Sequence, residues 1–146
     1  MLQLRYEKIL SVLILVVILI VALFLRENNR LVRLVDDKVA VHVDRLLEDP
    51  EEYRSRTFYG DLVEMHEYFE ENSENFDIKD LNIEITNRYI DKDSQEEGGA
   101  YDFWIREGEI VGNDKVERIP FTIRFIRGKS IHDSSEISFY DFSLTK

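Results

Sequence analysis

From Ile9 to Leu25 the chain reads ILSVLILVVILIVALFL, with Ser11 its one weakly polar residue and no charge. As a helix rising about 1.5 Å per residue, the run reaches roughly 25 Å, the short end of what crosses a bilayer, and Leu4, Tyr6 and flanking basic side chains extend it. A core helix of a small soluble domain keeps one wet face, and this run has none. A cleaved signal peptide calls for a shorter apolar region closed by a small-x-small site, whereas Ile20 to Phe24 offer only Ala22 as a small residue. The pattern therefore predicts a retained membrane anchor over residues 9–25, with residues 1–8 as a short tail.

Beyond the anchor the apolar positions become periodic. Val32, Val35, Val39, Val43 and Leu46 recur at spacings of three and four, against Arg33, Asp37, Lys38, Asp44, Arg45 and Glu48 on the other side. Neither glycine nor proline falls before Pro50, so the spacing predicts one helix running on from the membrane as an amphipathic stalk over residues 26–48. Its stripe either packs on its own domain or, as Val32, Val35, Val39 and Val43, forms a self-associating or partner-binding coil. Asp49-Pro50-Glu51-Glu52 has the residues of a helix start. Phe58, Leu62, Met65 and Phe69 then share a stripe while Asp61, Glu64, Glu67 and Glu71 point away, a helix ending near Asn72 that Thr57 is placed to cap. Gly60 admits a short turn before it.

From residue 81 the period changes to two. Leu81, Ile83, Ile85 and Tyr89 alternate with polar residues. Tyr101, Phe103 and Ile105 alternate with Asp102, Trp104 and Arg106, and Ile119, Phe121, Ile123 and Phe125 with Arg118, Thr122 and Arg124. Tyr140, Phe142 and Leu144 follow. Connections are expected at Asp91–Gly99, Gly108–Lys115 and Gly128–Ser135, with Pro120 near a strand start or on an edge. Four antiparallel strands with one apolar face need a cover, and the preceding helices supply it. The fold class expected is α+β: an N-terminal transmembrane helix continuing into an amphipathic helix, a second short helix, then a roughly four-stranded sheet, with residues 49–146 forming a small domain packed with the stalk.

The chain carries a formal charge of −11, of which the first 25 residues contribute +1 and the remainder −12. So acidic a domain repels phosphate backbones and anionic headgroups, which argues against nucleic acid as a partner. An aromatic content of 12%, concentrated in the second half, favours a folded domain over a disordered tail. With no cysteine, disulfides, thiolate catalysis and cysteine metal sites are excluded, as is a lipidated cysteine. Arg5 and Lys8 precede the anchor, and Arg26, Arg30, Arg33, Lys38 and Arg45 follow it. A naive count keeps the domain inside the cell, but the rule weakens beside a long domain, and the expected orientation is tail in, domain out.

Catalytic or metal chemistry finds little support. His66 and Glu70 stand one helical turn apart with Glu67 near, yet no third ligand joins them, and His42 and His132 lie elsewhere in sequence. The loop Asp91, Asp93, Gln95, Glu97 resembles a calcium loop in its alternate oxygens but has Glu96 where the tight turn requires glycine. Nucleophile elbows, phosphate-binding glycine loops and zinc-protease motifs are absent. No catalytic residue, metal site or cofactor is assigned. On the strand alternation Trp104 faces opposite Tyr101, Phe103 and Ile105, so either the second sheet face is covered by a loop or helix or the indole is exposed, and an exposed tryptophan among Arg106 and Arg124 is a further candidate partner-binding spot.

A half-membrane, half-amphipathic helix followed by four antiparallel strands resembles type IV pilins and pseudopilins in element order. The prepilin processing glycine is missing, since no glycine precedes Gly60, and Glu7 lacks its context. The order is also similar to the single-pass accessory subunits of type IV secretion and conjugation machines, with their cone-shaped helix-plus-sheet domains, although this chain has fewer helices. With the anchor and no visible active site, the expectation is a non-enzymatic, membrane-anchored interaction or assembly protein held to lipid through residues 9–25. Its extracytoplasmic domain would meet other envelope proteins or copies of itself. The competing expectation is a small-ligand module with a pocket walled by Leu62, Phe103, Phe121 and Ile123.

Overall fold

The computed structural model describes residues 1–95, 97–128 and 136–144. The elements follow in the order α1 (Leu2–Glu48), a single 3-10 turn (Pro50–Tyr53), α2 (Tyr59–Glu71), β1 (Asn82–Ile90), β2 (Tyr101–Val111), β3 (Arg118–Gly128) and β4 (Ile137–Leu144). The chain divides into two compact units, Met1–Leu34 and the residues from Val35 onward, and the fold is α+β.

The first unit is helix alone. Every residue from Met1 to Arg30 is exposed, and the apolar run makes α1 long and apolar enough to cross a membrane. The Ser11 hydroxyl donates to the Glu7 carbonyl one turn back at 2.8 Å, so the run's one polar side chain is satisfied by its own helix.

The second unit begins with the last turns of α1. Val35, Val39, Val43, Leu46 and Leu47 are all buried there, because the three-and-four spacing puts them on one side of the helix. They pack with Leu62 and Phe69 of α2, with Phe76, and with one face of the sheet. The carboxylate of Asp44 ties this helix to the start of β1, accepting the Leu81 N–H at 3.1 Å. Asp49 and Thr57 do not cap as the sequence suggested. The 3-10 turn has no side-chain cap, and α2 starts after Phe58, also without one.

The sheet is an antiparallel meander in the order β1-β2-β3-β4. Its inner face can be followed through the register: Ile83 opposite Ile110, Ile85 opposite Gly108, Gly108 opposite Phe121, Arg106 opposite Ile123, and Ile123 opposite Phe142. Three expectations need correction. In β2 the inward residues are Trp104, Arg106, Gly108 and Ile110, so Phe103 and Ile105 take the outer face. A bulge between Ile85 and Asn87 reverses the alternation of β1, which turns Arg88 inward and Tyr89 outward. Gly108, read from sequence as the start of a turn, lies inside β2, and the connection to β3 starts at Gly112. A Cβ on Gly108 would stand 2.6 Å from both the Glu84 carbonyl oxygen and the Phe121 ring, so the close approach of β1 and the core demands glycine.

The outer face carries charge ladders. Arg118 pairs with Glu84 and Glu109 at 2.9 Å each, and Arg124 with Asp91 at 2.8 Å and Asp141 at 3.4 Å. Pro120 precedes the first β3 residue paired with β4, Phe121, and so interrupts no described ladder on that side.

Candidate functional site

The stripe singled out for partner binding is committed to the domain itself. Val35, Val39 and Val43 are 2%, 0% and 0% exposed, members of the hydrophobic core, and therefore closed to a partner. Val32 belongs to the first unit and is half-buried. Of the two alternatives for Trp104, the packed one holds and the exposed indole does not. Inverting β2 brings it to the inner face, where it packs against the core with its Nε1–H buried and lacking an acceptor among the described residues.

Beside Trp104 the inner face holds a partly exposed ion cluster around a buried Arg106. Asp36 accepts from Arg88 and, at 3.3 Å, from Arg106, whose side chain is only 4% exposed. The Arg106 guanidinium lies 5.5 Å from the Trp104 ring centre and 5.3 Å from that of Phe125. Burial pulls its pKa down and Asp36 opposes the fall. Two rings and one carboxylate thus pin the start of the domain's helix to β1 and β2, a structural role.

The proposed small-ligand pocket does not form. Leu62, Phe121 and Ile123 are buried to 1% exposure or less in the packed core, and Phe103 sits on the opposite face, edge-on to Tyr140 at 6.1 Å.

Among the described residues no group of three histidine or acidic side chains is placed to hold a metal. His66 joins two helices. Its Nδ1 lies 2.6 Å from the Leu47 carbonyl, which can only accept, so Nδ1 carries the proton, while Nε2 faces Glu70 at 3.3 Å. His42 stacks on Phe139 at 3.9 Å, and burial with Arg45 and Arg56 nearby lowers its pKa to about 4. His132 and Glu96 lie outside the described residues. The first carboxylate of the calcium-like loop is already engaged: Asp91 accepts from Ser94 and Arg124, which hold its carboxyl below the usual carboxylate range.

An open feature remains between α2 and the ends of β3 and β4, a groove of about 350 Å³. Its apolar wall is Met65, the Tyr68 ring, Ile119, Pro120 and Leu144, and Asp61, Glu64 and Glu117 rim it. The rim is built by the β2–β3 connection. Asn113 N–H donates to the Asn75 carbonyl at 2.7 Å and Asp114 N–H to the Asn75 side chain at 3.0 Å, docking the hairpin beside α2. This docking brings Glu117 to Tyr68, whose hydroxyl donates to it, and to Asn75 Nδ2 at 3.0 Å. Both donors are neutral groups, and the hydrogen bond to Glu117 raises the pKa of the Tyr68 phenol. The groove unites three segments distant in sequence, which hid it from periodicity. The one visible signal is the lack of any lysine or arginine between Thr57 and Ile78.

No family model matches the chain, and it is matched by no curated protein and no solved structure. The likeness to pilins and to secretion-machine subunits therefore stays one of element order.

Proposed function

We propose that this chain is a single-pass, membrane-anchored interaction protein without enzymatic activity, whose acidic domain docks other envelope proteins on the extracytoplasmic side. The observation that carries the reading is the run Ile9–Leu25: it is fully helical, uncharged and exposed, a surface stable in lipid and costly in water. The orientation with the domain outside rests on the folded domain beyond the run, since the basic-residue rule loses force beside a long domain. The mechanism is tethering. Confinement to the bilayer raises the effective concentration of a weakly binding domain near its partners, so modest contacts suffice. With the helix stripe and Trp104 engaged internally, α2 and its groove are the surface best suited to docking.

The test is fractionation of the full chain. It should stay in the membrane pellet through alkaline carbonate, and protease should reach residues beyond Val35 from outside intact cells. Release by carbonate would end the anchoring; digestion only after permeabilisation would reverse the sidedness.

A further inference from the structure

We propose that the groove between α2 and the ends of β3 and β4 seats a segment of another protein bearing an apolar side chain flanked by lysine or arginine. The proposal rests on the reading of the chain as a docking protein and names the chemistry its partner must carry. At about 350 Å³ the groove falls in the size range of pockets that take up a ligand group, and Met65, Ile119, Pro120 and Leu144 give it an apolar floor.

Charge selects the occupant. Glu117 is held by the neutral donors Tyr68 and Asn75, and Asp61 has no basic partner among the described residues. Arg118, the one basic residue among the described residues of the wall, is spent on Glu84 and Glu109. The acidic character continues along α2 through Glu67, Glu70 and Glu71. An anionic ligand or headgroup would be repelled by Asp61 and Glu117, and a purely apolar group would leave those two carboxylates unused. A basic-apolar segment satisfies both, with long-range attraction speeding encounter and the apolar side chain holding the complex.

The chain has two methionines, and one of them, Met65, forms part of the groove wall. Methyl-labelled methionine NMR on the full chain in lipid nanodiscs therefore reads the groove directly, with Met1 as internal control. A short peptide alternating leucine and lysine should shift the Met65 signal and leave Met1 unmoved, with affinity falling as salt rises. The exposed Asp61→Lys should weaken that binding about tenfold and create binding of a leucine–glutamate peptide. Glu117 is left alone because it anchors the hairpin.

The proposal is overturned if no peptide moves Met65, or if a serine–lysine or a leucine–glutamate peptide acts equally on the unmodified chain. Met65 signals that depend on protein concentration without peptide would make a second copy the occupant. Binding that emerges only when the chain is shortened to Leu144 would make its own last residues the occupant. A chain that carbonate releases but whose Met65 still responds would refute the tether and keep the groove; the converse result would do the reverse.

Discussion

His42 shows how one buried ring ties stability to pH. Stacked on Phe139 and with Arg45 and Arg56 close by, it stays neutral in the folded chain down to about pH 4, whereas the unfolded chain takes up the proton at the ordinary value of 6.5. Above pH 6.5 the ring is neutral in both states and adds no pH dependence. Between 6.5 and 4 the unfolded state binds the proton that the folded state refuses, so stability falls as pH falls and levels off below 4. Allowing for the solvent that still reaches the ring, this loss amounts to about 2 kcal/mol. His42→Phe keeps the stack and should remove that part of the acid loss, seen by comparing urea midpoints of the two proteins at pH 7 and 4.5. Asp36 supports a second prediction. Asp36→Ala strands the buried Arg106 guanidinium without its carboxylate and should cost about 3 kcal/mol. Arg118→Ala breaks only partly exposed outer-face pairs and should stay within about 1 kcal/mol. Chemical denaturation of both variants measures the contrast.

At the scale of elements, the two glycines Gly60 and Gly108 give opposite expectations. Nothing lies within 4 Å of a Cβ placed on Gly60, near the start of α2, so Gly60→Ala should be neutral or stabilise by up to about 1 kcal/mol through helix propensity. Gly108→Ala meets the Glu84 carbonyl and should cost about 1–3 kcal/mol, because backbone cannot move aside as a flexible side chain can. Thermal melts of the two alanine variants would separate them. The element order and the α+β class were legible from periodicity, since a three-and-four spacing and a two-residue alternation are hard to mistake for one another. The facing of β2 was not. Its inner face carries a charged Arg106 and a side-chain-free Gly108, while Phe103 and Ile105 make the outer face look like the core. The bulge after Ile85 misled in the same way, since it swaps faces without marking the sequence. The groove was beyond reach for a different reason: Met65, Ile119 and Leu144 meet only through the sheet register and the hairpin docked at Asn75.

At the scale of the whole molecule, the division falls inside a helix. The second unit starts at Val35, so five residues of α1 belong to the domain core. A chain beginning at Asp49 keeps α2 and the sheet but loses Val35, Val39, Val43, Leu46 and Leu47, each worth roughly 1.5–3 kcal/mol in burial. Such a fragment should show no cooperative melting transition, while one beginning at Arg33 should retain it, as circular dichroism would show. A charge placed mid-stripe, as in Val39→Asp, should have the same effect as the shorter fragment.

The position of that stripe also shapes how the protein is made. Both apolar surfaces of α1 are synthesised before any strand, so a growing chain leaves the ribosome with one greasy segment ready for lipid and a second, Val35–Leu47, whose cover is not yet translated. Until β3 and β4 have emerged, that second surface must be sheltered by something other than its own sheet, and the interval is when the nascent chain is most exposed to aggregation.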